Sequence, residues 1–241
     1  MRAVCGAVLL CCSRAFVPLK LLPRQSPHLQ PMRSSVASYA EGQDLSELFD
    51  LYQSPQELGV QPGPPMQLDP PQSKKRSLVH RDGDWHRAVH IWLMNNQGEI
   101  VMQKRSPHKD TYPGMWDVSV GGHMTSGDDS MVTAQKELEE ELGLTAAPEN
   151  LKFLFTVATS STGETASHGA FKDNEFKDVY VLKYNGSTED LRYAPGEVSA
   201  VKWEGWRDVR DKILHGKDHY IKKPAAYCDA LFTQIEKISS S

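Results

Sequence analysis

The chain is poor in cysteine. Four are present in 241 residues, and Cys5, Cys11 and Cys12 crowd the extreme N-terminus, leaving Cys228 alone in the remainder. That distribution excludes a disulfide framework and a cysteine-built zinc site. No apolar run approaches the roughly 20 residues that a membrane-spanning helix needs. A net charge of −4 argues against a nucleic-acid polymer as partner, because such proteins present a basic face. Two local absences are sharper still. No acid occurs before Glu41, and no Lys or Arg occurs from Glu41 to Ser73.

These absences divide the chain. Residues 1–40 carry Arg2, Arg14, Lys20, Arg24 and Arg33, with serines scattered through the later part, which is the composition of an organelle transit peptide for chloroplast or mitochondrion. The stretch SSVASYA suits a plastid-type processing peptidase. A short apolar core behind Arg2, AVCGAVLLCC, is a secretory feature, but the basic tail runs well past it. Translation from Met32 would give an untargeted, cytoplasmic form. Residues 41–73 read as an acidic linker broken by Pro55, Pro62, Pro64, Pro65, Pro70 and Pro71. Within it ELFDLY, Glu47 to Tyr52, is apolar enough to dock on a domain as a short strand or helix.

Residues 74–238 have the composition and patterning of a globular domain. HRAVHIWLM and EIVMQKR read as two strands of a hairpin about a turn at Asn95 to Gly98. LKFLFTVA, FKDVYVLKY and VSAVKW read as further strands, and the segments after Trp206 and Pro224 as helices. Between the strand groups lies GGHMTSGDDSMVTAQKELEEELGL. Its helix is expected over Ser130 to Leu142 with Gly143 as the stop, and Met131, Ala134, Leu138 and Leu142 form one apolar stripe. Strands on both sides of a central helix imply an α/β/α sandwich around a mixed sheet.

Glu137, Glu140 and Glu141 fall on the other side of that helix and converge on one edge. Like charges at these spacings destabilise a helix by roughly 0.2–0.5 kcal/mol per pair, and acids in its last turns oppose its dipole. A divalent cation reverses both penalties, and carboxylate oxygen suits Mg²⁺ or Mn²⁺.

On these residues the chain resembles the Nudix hydrolases. Their box falls on Gly122, Asp128, Lys136, Glu137, Leu138, Glu140, Glu141, Gly143 and Leu144 with complete spacing. Asp128 stands where the family has Glu, and Lys136 where it has Arg. The flanks HRAVHIWL, QKRSPHKDTYPGMW, GGH, DNEF and VKW resemble the branch that includes isopentenyl-diphosphate isomerase and its hydrolase relatives. The resemblance implies a Nudix-type α/β/α fold, a small-molecule diphosphate substrate, and water activated by Mg²⁺ or Mn²⁺. It implies Glu137, Glu140 and Glu141 as catalytic and metal-binding residues, with the Gly121 carbonyl as a further ligand. Glu137 or, more remotely, Glu175 would serve as general base.

From the isomerase branch it implies a metal role for His86, His123 and Glu175, with His80 a looser match and Asp173 in place of a Glu. Arg105 and Lys109 match diphosphate-binding positions, Lys104 accompanies them, and Trp203 matches an aromatic beside the isoprenoid. His90 is expected to have no role. Gly121 occupies the isomerases' cysteine position, which disfavours isomerisation and favours hydrolysis. Loop residues 159–173 are expected to recognise the rest of the substrate.

Overall fold

The computed structural model describes residues 20–21, 46–109, 111–165, 169–193 and 196–240. The expected transit peptide, with Met32, lies outside the described residues apart from β1 (Lys20–Leu21). In chain order there follow β2 (Leu48–Asp50), β3 (Gly59–Val60), β4 (Ser73–Lys75), α1 (Arg76–Asp82), β5 (Trp85–Met94) and β6 (Glu99–Arg105). Next come β7 (Trp116–Asp117), β8 (Val120–His123), α2 (Ser130–Leu142), β9 (Leu144–Thr145), β10 (Leu151–Thr165), β11 (Gly169–Lys183), β12 (Val198–Gly205), α3 (Trp206–His215) and α4 (Ala225–Ser239).

The main sheet runs β12-β6-β5-β11-β10-β3, with β7 added to β6 and β8 to β5. It is mixed: β5 and β11 pair in parallel and the other pairs are antiparallel. Strand alternation separates two cores. Val89, Ile91 and Leu93 of β5 pack with Ala134, Leu138 and Leu142 of α2. Trp92 and Met94 face the other way, onto Val209 and Ile213 of α3 and Tyr227, Leu231 and Ile235 of α4. The expected α/β/α sandwich is the observed architecture. Leu138 and Leu142 are fully buried, each contributing about 1.5–3 kcal/mol, and this apolar stripe fixes which side of α2 is left for its acids.

The proline-broken stretch before Ser73 has little regular structure, as its prolines dictate, yet it lies against the domain. β2 pairs with β4, and Phe49 is fully buried. The segment 159–173 differs from the expectation of a loop. Thr159 to Thr165 continue β10, and they pair with residues of β11 from Gly169 to Glu175. Its threonines suit a pleated ladder, and its polarity reflects projection beyond the two apolar cores.

Candidate active site

Asp129 caps α2, accepting a hydrogen bond from the Val132 N–H at 2.9 Å, and Gly143 ends the helix in the left-handed region at φ 66°. The helix thereby presents Glu137 and Glu141, one turn apart, to β8. The Gly121 N–H donates to Glu141 Oε2 at 3.1 Å. Gln103, with its amide turned to donate, reaches the same oxygen at 3.2 Å. The Glu137 carboxylate lies against Gly122 so closely that a Cβ there would overlap it. Gly122 is thus a glycine for close approach. Because the clash falls on the end of a flexible side chain, Gly122→Ala is expected to fold with a near-normal Tm. It would displace the Glu137 carboxylate and lower turnover by about 10²-fold. Unchanged kcat in that variant would remove Glu137 from the reacting centre.

Burial, then the neighbouring Glu141 and Glu140, push the Glu137 carboxyl up to about 8. Burial pushes Glu141 up to about 7, against the pull of the Gly121 N–H and the Lys109 and Arg105 charges. Glu140 is exposed at the edge of the same cavity. Such a set is poised to exchange protons for a cation.

A second group assembles beside it. Parallel pairing sets Glu175 of β11 next to His86 of β5, and antiparallel pairing sets His123 of β8 opposite Ala88. With His80 from α1 and Asp173, ligand atoms of His80, His86, His123 and Asp173 lie within 4.8 Å of one another. His86 Nδ1 is 3.1 Å from the Asp84 carbonyl, to which it donates in the tautomer that frees Nε2. That Nε2 lies 3.3 Å from His80 Nε2 and 3.6 Å from Asp173 Oδ1. A metal-ligating histidine is oriented in this way.

Two buried atoms of this group, Asp173 Oδ1 and His123 Nε2, lack a hydrogen-bond partner, although His123 Nε2 is 3.2 Å from Glu175 Oε1. An orphaned carboxylate oxygen facing the Nε2 atoms of His80 and His86 at 3.5 and 3.6 Å fits a divalent cation. Burial holds His86 below, and His123 well below, the usual histidine range, which keeps both neutral as ligands must be. Glu175 is held well below its usual range despite its burial, by Lys177 first and then His123.

Both groups open on one cavity of about 650 Å³. Arg105 and Lys109 line it. Arg105 donates from Nε to the Thr111 carbonyl at 2.9 Å, and Lys109 pairs with Glu197. Burial and the Arg105 charge push the Lys109 amine down to about 8. Lys104 and Trp203 are not on the wall. Alternation turns Lys104 to the opposite face of β6, 5.8 Å above the Trp116 ring, while Trp203 stacks on Tyr184 at 6.0 Å in the α2-side core. The Gly121 group seen in contact with the acids is its N–H; a ligating role for its carbonyl stays an expectation.

Several residues were not legible beforehand. Phe49 stacks on His86 and His123 at 5.2 and 4.9 Å, with the Arg76 guanidinium 5.5 Å from its ring. Glu47 accepts from Thr125 Oγ1 at 2.6 Å, and Asp50 from Ser126 Oγ at 2.5 Å and the Gly127 N–H at 3.1 Å. These acids brace the loop that contains Asp128. Their remoteness in sequence hid them. Lys177 and His90 did carry a signal: each shares a strand face with an expected ligand, at two residues from Glu175 and four from His86.

A mixed sheet between α2 on one side and α3 and α4 on the other, with a Gly-Gly strand end resting on half-buried helix carboxylates, is the architecture of a Nudix-type hydrolase fold. The NUDIX domain model matches residues 84–223, and the chain belongs to the Nudix family. Nudix hydrolase 3 of Arabidopsis thaliana is 39% identical over 152 residues, covering 62% of this chain and 19% of that protein. An isopentenyl-diphosphate Delta-isomerase of Serratia proteamaculans is 27% identical over 148 residues, covering 61% of this chain and 77% of its own. An uncharacterized Nudix hydrolase of Clostridium acetobutylicum is 35% identical, with 59% of its length covered. The chain therefore spans less than two thirds of the Arabidopsis and Clostridium relatives. The crystal structure of DR0079 from Deinococcus radiodurans shares the fold, with a TM-score of 0.51 at 21% identity, over 79% of this chain and 98% of that one.

Proposed function

We propose that the protein hydrolyses the phosphoanhydride bond of a nucleotide or another small organic diphosphate, with Mg²⁺ or Mn²⁺ as cofactor. The observation that carries this is the pairing, in one cavity, of two half-buried carboxyls raised into the neutral range with the cations Arg105 and Lys109. The carboxylates Glu137, Glu140 and Glu141 would hold one site. His80, His86, His123 and Asp173 would hold a second, with Glu175 beside them. A bound divalent ion supplies charge neutralisation on the phosphates and lowers the pKa of a coordinated water.

The chain's own residues do the rest. Arg105, a planar fork, and Lys109, a point charge, hold phosphate oxygens. Glu137 is the better placed general base, because Glu175 is already engaged by Lys177 and His123. Gly121 supports hydrolysis over isomerisation, since no proton-donating thiol stands there. The test is ³¹P NMR of the full chain with Mg²⁺ or Mn²⁺ against nucleoside diphosphates and triphosphates, sugar nucleotides and isopentenyl diphosphate. New monophosphate or phosphate signals are expected. A dimethylallyl methyl proton signal without phosphorus changes would replace hydrolysis by isomerisation.

A further inference from the structure

Ala88 and His90 continue the strand face that carries His86, and His90 lies about 13 Å along β5 from it at about 3.3 Å per residue. His90 is 7% exposed and lines the cavity. Its Nδ1 is 2.9 Å from the Tyr227 hydroxyl, which also accepts the Trp92 indole N–H at 2.9 Å. Tyr227 is fully buried. Among the described residues its hydroxyl is hydrogen-bonded to His90 Nδ1 and the Trp92 indole, of which only the imidazole nitrogen can accept its proton, and a buried O–H left without an acceptor is rare. The chain of bonds therefore runs Trp92 to Tyr227 to His90 and puts the imidazole proton on Nε2. Protonation of the ring would leave Nε2–H in place, so that nitrogen is a donor in either state.

Nearby on the same wall, Lys223 and Asp117 form a partly buried ion pair at 2.6 Å. Between this polar end and the α2 acids stands Gly121. A Cβ there would press on His90 Cδ2 at 3.3 Å and Val118 Cγ2 at 3.2 Å, so the absence of a side chain at 121 is what gives the imidazole its room.

We propose that His90 Nε2–H, with the Lys223–Asp117 pair, forms a subsite for a hydrogen-bond acceptor on the organic half of the substrate. The substrate class is then a diphosphate of a polar, heteroatom-bearing group such as a nucleoside or sugar, and prenyl diphosphates are excluded. This rests on the diphosphate reading above and narrows it. A prenyl chain would cover a buried donor and an ion pair while offering them nothing, and sites built for a hydrogen bond discriminate strongly against analogues that lack it.

Two measurements separate the subsite from the hydrolase reading. The first is calorimetric binding of α,β-methylene nucleoside diphosphates and of a methylene analogue of isopentenyl diphosphate to the full chain with Mg²⁺. The expected preference for the nucleoside analogue is about 10²-fold or more. The second repeats this with His90→Phe, expected to reduce the preference at least tenfold, and with His90→Gln, which keeps an N–H donor and should restore part of it. Circular dichroism checks that each variant is folded, and His90→Leu, which also lacks the donor, takes the place of the phenylalanine variant if that one is not. Equal binding of the two analogues, or a preference unchanged in a folded variant that lacks the donor, overturns the subsite. Turnover of the unmodified diphosphates is scored separately. Its absence would end the hydrolase reading while the binding preference still decides the subsite.

Discussion

Replacing Glu137 by glutamine is expected to lower kcat by about 10²–10⁴-fold at saturating Mg²⁺ or Mn²⁺, with the fold intact. The reason is specific to this carboxyl. Burial and two neighbouring acids raise it to about 8, so in the metal-free protein near neutral pH it is largely a neutral acid. A glutamine amide is close to isosteric with that form, and the metal-free Tm should stay the same or rise. What the amide cannot do is become an anion when a cation and water arrive. Glu141→Gln and Glu140→Gln should also lose turnover. For Glu141 the Gly121 N–H would still find an oxygen, which preserves the β8 contact. Steady-state kinetics beside thermal melts would check both halves. Full activity in a well-folded Glu137→Gln protein would falsify the assignment.

The second large effect is a dependence of metal-free stability on pH. Folding raises the Glu137 carboxyl from 4.5 to about 8 and the Glu141 carboxyl from 4.5 to about 7. The folded state therefore binds more protons than the unfolded chain in this range. Its advantage is complete below about pH 4.5 and is lost as pH climbs through 7 and 8. The buried histidines work in the other direction. His86, His90 and His123 are lowered from 6.5, so their contribution is present above that value and lost as pH falls. Lys109, lowered to about 8, opposes the carboxyls only above pH 8.

The window from pH 6.5 to 8 thus sets the raised carboxyls apart from the histidines and Lys109: Glu137 and Glu141, with Asp173, which burial and the Glu175 charge also hold well above its usual range. Metal-free protein should lose roughly 2 kcal/mol across it, a figure discounted for the partial exposure of these side chains. Mg²⁺ or Mn²⁺ should restore more stability at pH 8 than at 6.5, because the ion then displaces fewer protons. Denaturant unfolding in EDTA and in excess metal measures both trends. Denaturation midpoints that do not move with pH would mean that these carboxyls are not held together away from water.

Legibility followed locality. The α2 limits, its N-terminal turn, its Gly143 stop and its apolar stripe were all readable, because capping and the 3.6-residue period act within a few residues. The β5–β6 hairpin was readable for the same reason, with Asn95 Oδ1 accepting from the Gln97 and Glu99 N–H groups at 2.9 Å to set the turn. Residues 159–173 looked like loop because they lack apolar alternation. Their strand character comes from pairing across the hairpin, which a local pattern does not carry. Lys104 sits between the cavity residues Gln103 and Arg105 in sequence, and strand alternation turns it elsewhere; Trp203 is expected at the cavity from resemblance alone, and it stacks on Tyr184 instead.

By itself the sequence determined the acidic helix, the glycines that approach it and the absence of a thiol at position 121, all features carried by spacing within one segment. Only the tertiary structure decided what meets what. Parallel pairing of β5 with β11 brought Glu175 to His86 across 89 residues of chain, and β8 added His123 to them. α4 supplied Tyr227 to orient His90. The strap around Phe49 closed over the histidines. Those contacts depend on sheet order and on which face a strand turns to its neighbour, and both are set by burial summed over the whole domain.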